Sequence, residues 1–201
     1  PLDLAGFPRG SYYQFKSFWT DEPVIAIYTQ TAKLSIFKKD ADGNVVEKKK
    51  DYWKLAPRVW QNVNPHWNYS EGEKIIVEIY SNCDEIELFQ NGKSLGKQSL
   101  KDQEDRIFKW ATDYSKGKLT AVGTYKGKKV KETLETVDEA YSIKLVPDRK
   151  MMTANNTDVL HVVAQLVDKK GREVKNVDDE IKFTISGDYR FLGTDCGKTE
   201  K

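Results

Sequence analysis

The rhythm of hydrophobic and polar positions changes once along this chain, near residue 24. Before it, Tyr12, Phe15 and Trp19 recur at the spacing of one helix face, with Tyr13 and Phe18 beside them. Pro8 and Gly10 make a turn ahead of that face. Ser11 is the expected N-cap, because its hydroxyl can accept from a free backbone N–H of the first turn. "DEP" at 21–23 ends the helix, since Pro23 cannot continue it and restricts Glu22. After residue 24 the period is two. Ile75, Val77 and Ile79 alternate with Ile76, Glu78 and Tyr80, and Ile86 and Leu88 alternate with Glu85, Glu87 and Phe89. Strands are expected at 24–29, 33–37, 74–82, 106–112, 118–126, 128–137, 141–150, 159–168 and 179–187, with a short one at Val45–Val46. A further hairpin spans 85–100, and Tyr189–Leu192 begins one more strand. Asn91-Gly92 is the sharpest hairpin signal, because both central turn positions need φ > 0; Asp42-Gly43 and Lys126-Gly127 mark two others. Short strands without intervening helices predict a sandwich or barrel.

A break falls near residue 138, where one strand pattern ends and another restarts after the acidic joint Asp138-Glu139. The chain has 201 residues, enough for one or two domains. Its composition, 38% hydrophobic and 32% charged, supports modest cores. No apolar run approaches the roughly 20 residues of a membrane helix, and the first residues lack the basic start and apolar stretch of a signal peptide. A chain that opens "PLDLAGF", without Met, reads as an excised or processed piece. Thirty-three basic residues face 31 acidic ones. A net charge of +2 gives no field to draw nucleic acid, so neither nucleic acid nor membrane is an expected partner. The lysine clusters at 48–50 and 126–129 read as solvated strand edges. Cys83 and Cys196 are too few for a disulfide framework and fall in different expected domains, with Cys83 read as a small buried apolar residue.

Candidate chemistry is sparse. Asp40-x-Asp42-Gly43-Asn44 has a calcium-loop look, but its glycine comes too early and the closing bidentate glutamate is missing, so it reads as a hairpin turn. No metal site and no cofactor is expected. Glu71 and Glu73 flank a turn glycine and read as solvated. His161 reads as a strand residue within "VLHVVAQL". Pro65-His66-Trp67-Asn68-Tyr69 sets two aromatic rings beside two polar groups. His66, Trp67, Asn68 and Tyr69 are the candidate substrate-binding set, because Trp and Tyr offer flat faces suited to the C–H face of a sugar. The alternative is that Trp67 belongs to the core where the chain enters the sandwich. Trp53 and Trp60 are expected to pack the insertion between residues 30 and 62.

Three stretches carry a family resemblance. "LDLAGFPRGSYYQFKSFW", "VNPHWNYSEGEKIIVEIYSNCDEIELFQNGKSLG" and "AYSIKLVPDRKMMTANNTDVLHVVAQLVDKKGREVKNVDDEIKFTISG…FLGTDCG" resemble the C-terminal part of glycoside hydrolase family 2 enzymes of the β-galactosidase-like kind common in gut Bacteroides. The resemblance implies an all-β chain of two immunoglobulin-like β-sandwich domains in tandem, preceded by one short helix left from a (β/α)₈ barrel. Residues 1–22 would be the remnant of the last barrel strand and helix, 23–137 an accessory sandwich, and 138–201 a second sandwich. With 64 residues against about 100 for a complete immunoglobulin-like domain, the last would be truncated and would leave an open sheet edge for self-association.

Enzymes of this family hydrolyse by a retaining mechanism with two glutamates about 5–5.5 Å apart. The resemblance places both upstream of residue 1, so no catalytic residue is expected here and the fragment alone should be inactive. It also sets the loop of Asp3 and Phe7 at the mouth of the parent active site. The expected partner is the missing barrel, whose surface the aromatic face of the helix would meet; without it, that face should dock on the first sandwich or on a neighbour. The alternatives are a carbohydrate-binding module using the Trp67 platform and a structural or adhesive tandem module. A periplasmic or extracellular location follows from the resemblance alone.

Overall fold

The strand over Lys74–Ser81 explains the fold around it. Its residues alternate between two apolar sets, so both faces of the strand must be covered. The structure, a computed structural model, describes residues 2–3, 5–49 and 62–196; the expectations for Trp53 and Trp60 lie outside them. A helix, α1 (Gly10–Trp19), precedes β1 (Ile25–Thr31), β2 (Phe37–Lys39), β3 (Val45–Glu47), β4 (Lys74–Ser81), β5 (Glu85–Gln90), β6 (Lys93–Ser99), β7 (Ile107–Asp113), β8 (Lys118–Tyr125), β9 (Lys128–Glu135), β10 (Ser142–Pro147) and β11 (Val162–Val167). Among the described residues the regular elements are strands, apart from this one short α-helix and a 3₁₀ turn at Leu100–Asp102.

One compact unit takes the chain up to Glu135 together with residues from Lys182 on; the other is Thr136–Ile181. In the first, an antiparallel sheet of order β1-β4-β7 faces one of order β6-β5-β8-β9. Ile27, Ile75, Val77, Ile79, Phe108 and Trp110 from the first sheet meet Ile86, Leu88, Leu119 and Ala121 from the second in one buried cluster. Each fully buried Ile or Leu is worth roughly 1.5–3 kcal/mol. On the outer face of β1-β4-β7, Ala26, Tyr28, Tyr80 and Ile107 form a second cluster, with Tyr13 of α1 packed against it. Asn91-Gly92 turns with φ of 51° and 82° between β5 and β6, and Lys126-Gly127 with 48° and 79° between β8 and β9, the left-handed pair such hairpins need. In the second unit, β10 and β11 pair antiparallel, from Ser142↔Val167 to Pro147↔Val162.

Several expectations are corrected. The helix begins at Gly10 with Arg9 as N-cap and no side-chain cap, so Ser11 is not the cap. Of the strand expected at 33–37 only Phe37 is extended and paired. Leu34 and Ser35 N–H both donate to the Thr31 carbonyl, closing a turn instead. Residues 179–187 and 189–192 form no strand, and Phe183 and Ile185 are exposed. An alternating pattern makes a strand only where a partner supplies the ladder, and among the described residues no strand pairs with 179–187 or 189–192.

Candidate functional site

Residues 62–69 run beside the end of β1. Thr29 and Asn64 exchange backbone hydrogen bonds at 2.9 and 2.8 Å. The Thr29 hydroxyl contacts the His66 carbonyl and the Tyr69 hydroxyl, each at 2.7 Å. This fixes four rings together: Tyr69 lies 4.9 Å from His66, 6.1 Å from Trp67 and 5.9 Å from Tyr114, with Trp67 5.0 Å from Tyr114. His66 Nδ1 accepts from the Asn68 N–H at 3.2 Å. The four candidates are thus brought together, but not as a platform. Trp67 is 0% exposed and its Nε1–H donates to the Ser115 carbonyl at 3.3 Å. A sugar cannot reach either face of that ring; Trp67 is a core residue, the alternative left open by the sequence. Burial raises the Tyr69 phenol, with the Thr29 hydrogen bond pulling the other way.

Asp3 and Phe7 close their own loop. The Phe7 N–H donates to Asp3 Oδ1 at 2.8 Å and the Asp3 N–H to the Phe7 carbonyl at 3.0 Å. The carboxylate shapes the loop while the Phe7 ring stays exposed. Next along the chain, α1 sits on the outer face of β1-β4-β7. Gly10 rests on Tyr80: a Cβ there would stand 2.8 Å from the ring and hydroxyl. Tyr13 lies 6.1 Å from Tyr28, whose hydroxyl donates to the Pro8 carbonyl at 3.3 Å. Ser17 is buried. At the far end, Gln14 Nε2 donates to the Asp105 carbonyl at 3.0 Å, and the Arg106 guanidinium donates to the Ser17 carbonyl and lies 4.6 Å over the Phe18 ring.

The helix therefore docks on the sandwich, but by its Gly10–Tyr13–Ser17 face. Phe15 and Trp19 stack on each other on another side, 5.5 Å apart and 13° from parallel, with Trp19 82% exposed. The chain after α1 is fixed by residues the sequence analysis did not single out. Asn82 Oδ1 accepts from the Val24 N–H at 2.8 Å, and its Nδ2 donates to the Glu22 carbonyl at 2.8 Å. The Ser81 hydroxyl donates to the Val24 carbonyl at 2.5 Å. Cys83 is buried and free, and its sulfur fills the space beside Gly123, where a Cβ would stand at 2.6 Å. The signal for this staple was the polar pair Ser81-Asn82 directly after an apolar strand.

The remaining acids and histidine act locally. Glu71 Oε2 accepts from the Lys116 N–H at 3.2 Å and Glu73 Oε2 from the Ser70 N–H at 3.3 Å, so both carboxylates cap turns. Asp40 Oδ1 accepts from the N–H groups of Asp42 and Asn44 at 3.0 and 2.8 Å, as a hairpin turn requires. His161 lies one residue before β11 rather than within it, with its side chain 77% exposed and Nδ1 3.4 Å from Asp148 Oδ2. In the second unit, Asp168 accepts from the N–H groups of Lys170 and Arg172 and from the Arg172 guanidinium, which also reaches Asp138 and the Thr136 carbonyl. Burial pushes the Asp168 carboxyl up, but these bonds outweigh it and hold it well below the usual carboxylate range.

Residues 143–201 match the family described as glycoside hydrolase family 2 C-terminal domain 5, and residues 72–131 match a domain of unknown function, DUF4982. The β-galactosidase BoGH2A of Bacteroides ovatus is 30% identical over 98% of this chain and 19% of its own length. A β-glucuronidase of Formosa agariphila is 30% identical over 72% of this chain and 15% of its own. A solved glycosyl hydrolase family 2 member from Bacteroides cellulosilyticus superposes with a TM-score of 0.69 at 33% identity, over 86% of this chain and 21% of that one. The chain spans about a fifth of the length of the relatives it matches.

Proposed function

We propose, from the premise that this chain belongs to the C-terminal region of glycoside hydrolase family 2, that it is a non-catalytic accessory region of a β-galactosidase-like enzyme. Its α1 couples the sandwich to a (β/α)₈ catalytic barrel supplied by the rest of the polypeptide. In this reading residues up to 22 are the end of that barrel, the two units are immunoglobulin-like modules, and the parent hydrolyses a β-galactoside with two upstream glutamates in the periplasm or outside the cell.

One observation carries the reading: α1 is pinned to the sandwich by one face while the stacked Phe15–Trp19 pair is left bare on another. A soluble surface does not ordinarily leave a stacked tryptophan uncovered, and a helix held on one side and apolar on a second is built to join two bodies. The self-closed Asp3–Phe7 loop then presents the Phe7 ring toward substrate without its own carboxylate being free for chemistry.

The test uses the full-length enzyme that carries this segment. Replacing Phe15 and Trp19 with Ser should lower the barrel's melting temperature and the fraction of active enzyme, with KM of the surviving enzyme unchanged. Unchanged stability would remove the reading. The 201-residue chain alone should not hydrolyse an aryl β-galactoside; turnover proportional to its concentration would overturn the non-catalytic assignment.

A further inference from the structure

Glu78 is 1% exposed, on the outer face of the β1-β4-β7 sheet that carries α1. Its carboxylate accepts from the Tyr80 hydroxyl at 2.9 Å. That hydroxyl is also the atom on which Gly10 rests, 2.8 Å from where a side chain there would begin. Helix backbone, phenol and carboxyl thus form one continuous stack. The groups around it are few. Across from Glu78 stand Tyr28 on β1 and Lys109 on β7. Tyr28 is engaged with the Pro8 carbonyl. Lys109 Nζ is spent on Asp105 Oδ2 at 2.7 Å and the Ile107 carbonyl at 2.9 Å, beside the Phe37 ring at 5.3 Å. From α1 comes Tyr13, and from β9 the charge of Glu132 reaches Tyr13 and Tyr28. No described cation lies at ion-pair distance from Glu78.

We propose that Glu78 is a proton-operated seat for α1 that acts through Tyr80: protonated, it holds Tyr80 in place beneath Gly10, and ionised, it drives the helix to lift and admit water. Ionising a buried carboxyl with no cation at ion-pair distance is costly, and opening one helix is a smaller change than opening the sandwich. Burial raises the Glu78 carboxyl to about 7, with the Tyr80 hydrogen bond and the Lys109 charge pulling it back and Asp105 pushing it further up. Its ordinary value is 4.5. A raised acid contributes its stability in full below the ordinary value and loses it as pH rises through the folded one. Tyr13, Tyr28 and Tyr80 are all raised above an ordinary phenol, so none titrates in that window. The inference stands on the seat itself and holds whether or not α1 meets a barrel.

Amide exchange of residues 10–19 in this chain, corrected for the intrinsic pH dependence of exchange, tests it. Between pH 5 and 8 helix opening should rise roughly 10- to 100-fold, while β8 amides remain better protected. Glu78→Gln keeps the shape and the acceptor but not the charge, and should flatten the profile. A flat wild-type profile, or an equal slope in Glu78→Gln, overturns the proposal. Should that variant fail to fold, Tyr80→Phe decides: losing the donor that favours the charged form must move the midpoint upward, and an unmoved midpoint overturns the proposal equally.

Discussion

At Gly10 two effects of adding one methyl group compete. In a helix, Gly→Ala ordinarily gains about 0.5–1 kcal/mol. Here the new Cβ would stand 2.8–2.9 Å from three atoms of Tyr80. Tyr80 is fully buried and tied to Glu78, so it has nowhere to go. Overpacking of that kind costs about 1–3 kcal/mol, which outweighs the propensity gain. Gly10→Ala should therefore destabilise the first unit by about 1 kcal/mol, read from the urea midpoint at unchanged m-value. A gain in stability would mean that the helix rides higher on the sheet than its contacts describe.

At the scale of elements, α1 is held at its far end by one strained residue. Arg106 has φ of +57°, a conformation that favours glycine, and spends it on aiming its guanidinium at the Ser17 carbonyl and the Phe18 ring. A hydrogen bond from a charged donor is worth about 1.5–3 kcal/mol and the ring contact about 0.5–1 kcal/mol. Arg106→Ala loses both and keeps the strain; Arg106→Gly loses both and relieves about 1 kcal/mol of it. The glycine variant should be the more stable of the two by about that amount in denaturant titrations, and equal stabilities would show that the turn is unstrained.

Much of this layer was legible in the sequence. The period-two alternation of β4 and β5, the Asn91-Gly92 turn and the helix limit before Pro23 all follow from local chemistry. The docking face of α1 was not. Counting apolar side chains pointed to Tyr12, Phe15 and Trp19, whereas close approach to a sheet selects the small residues Gly10 and Ser17, with Tyr13 beside them. Trp67 was ambiguous for a related reason: the same ring serves a sugar or a core, and only the Ser115 carbonyl and the Tyr114 ring beside it decide. The strand expected at 179–187 failed because alternation describes one strand and pairing needs two.

At the scale of the whole molecule, the two units differ in how much they bury. The first closes a two-sheet core. In the second, all six residues of β10 are exposed, Ile143 and Leu145 among them, and a two-stranded sheet is marginal by itself. Such an edge is a template for another strand, and a second copy of this chain offers the same one. Sedimentation should show self-association as concentration rises, with amides 142–147 gaining protection in step. A strict monomer throughout would assign the edge no partner among copies of this chain.

The Ser81–Asn82 staple has a consequence in time rather than in space. It joins residues 57 to 62 positions apart, tying Thr20, Glu22 and Val24 to the end of β4. On a ribosome α1 emerges before β4, so this tie cannot set its angle until those two later residues have followed it out. At about 5–20 residues per second, the staple to the sandwich follows the helix by roughly 3–12 seconds. The amide of Asn82 is thus a late arrival that fixes an early element. Its loss should be felt less by the finished fold than by the yield of chains that reach it.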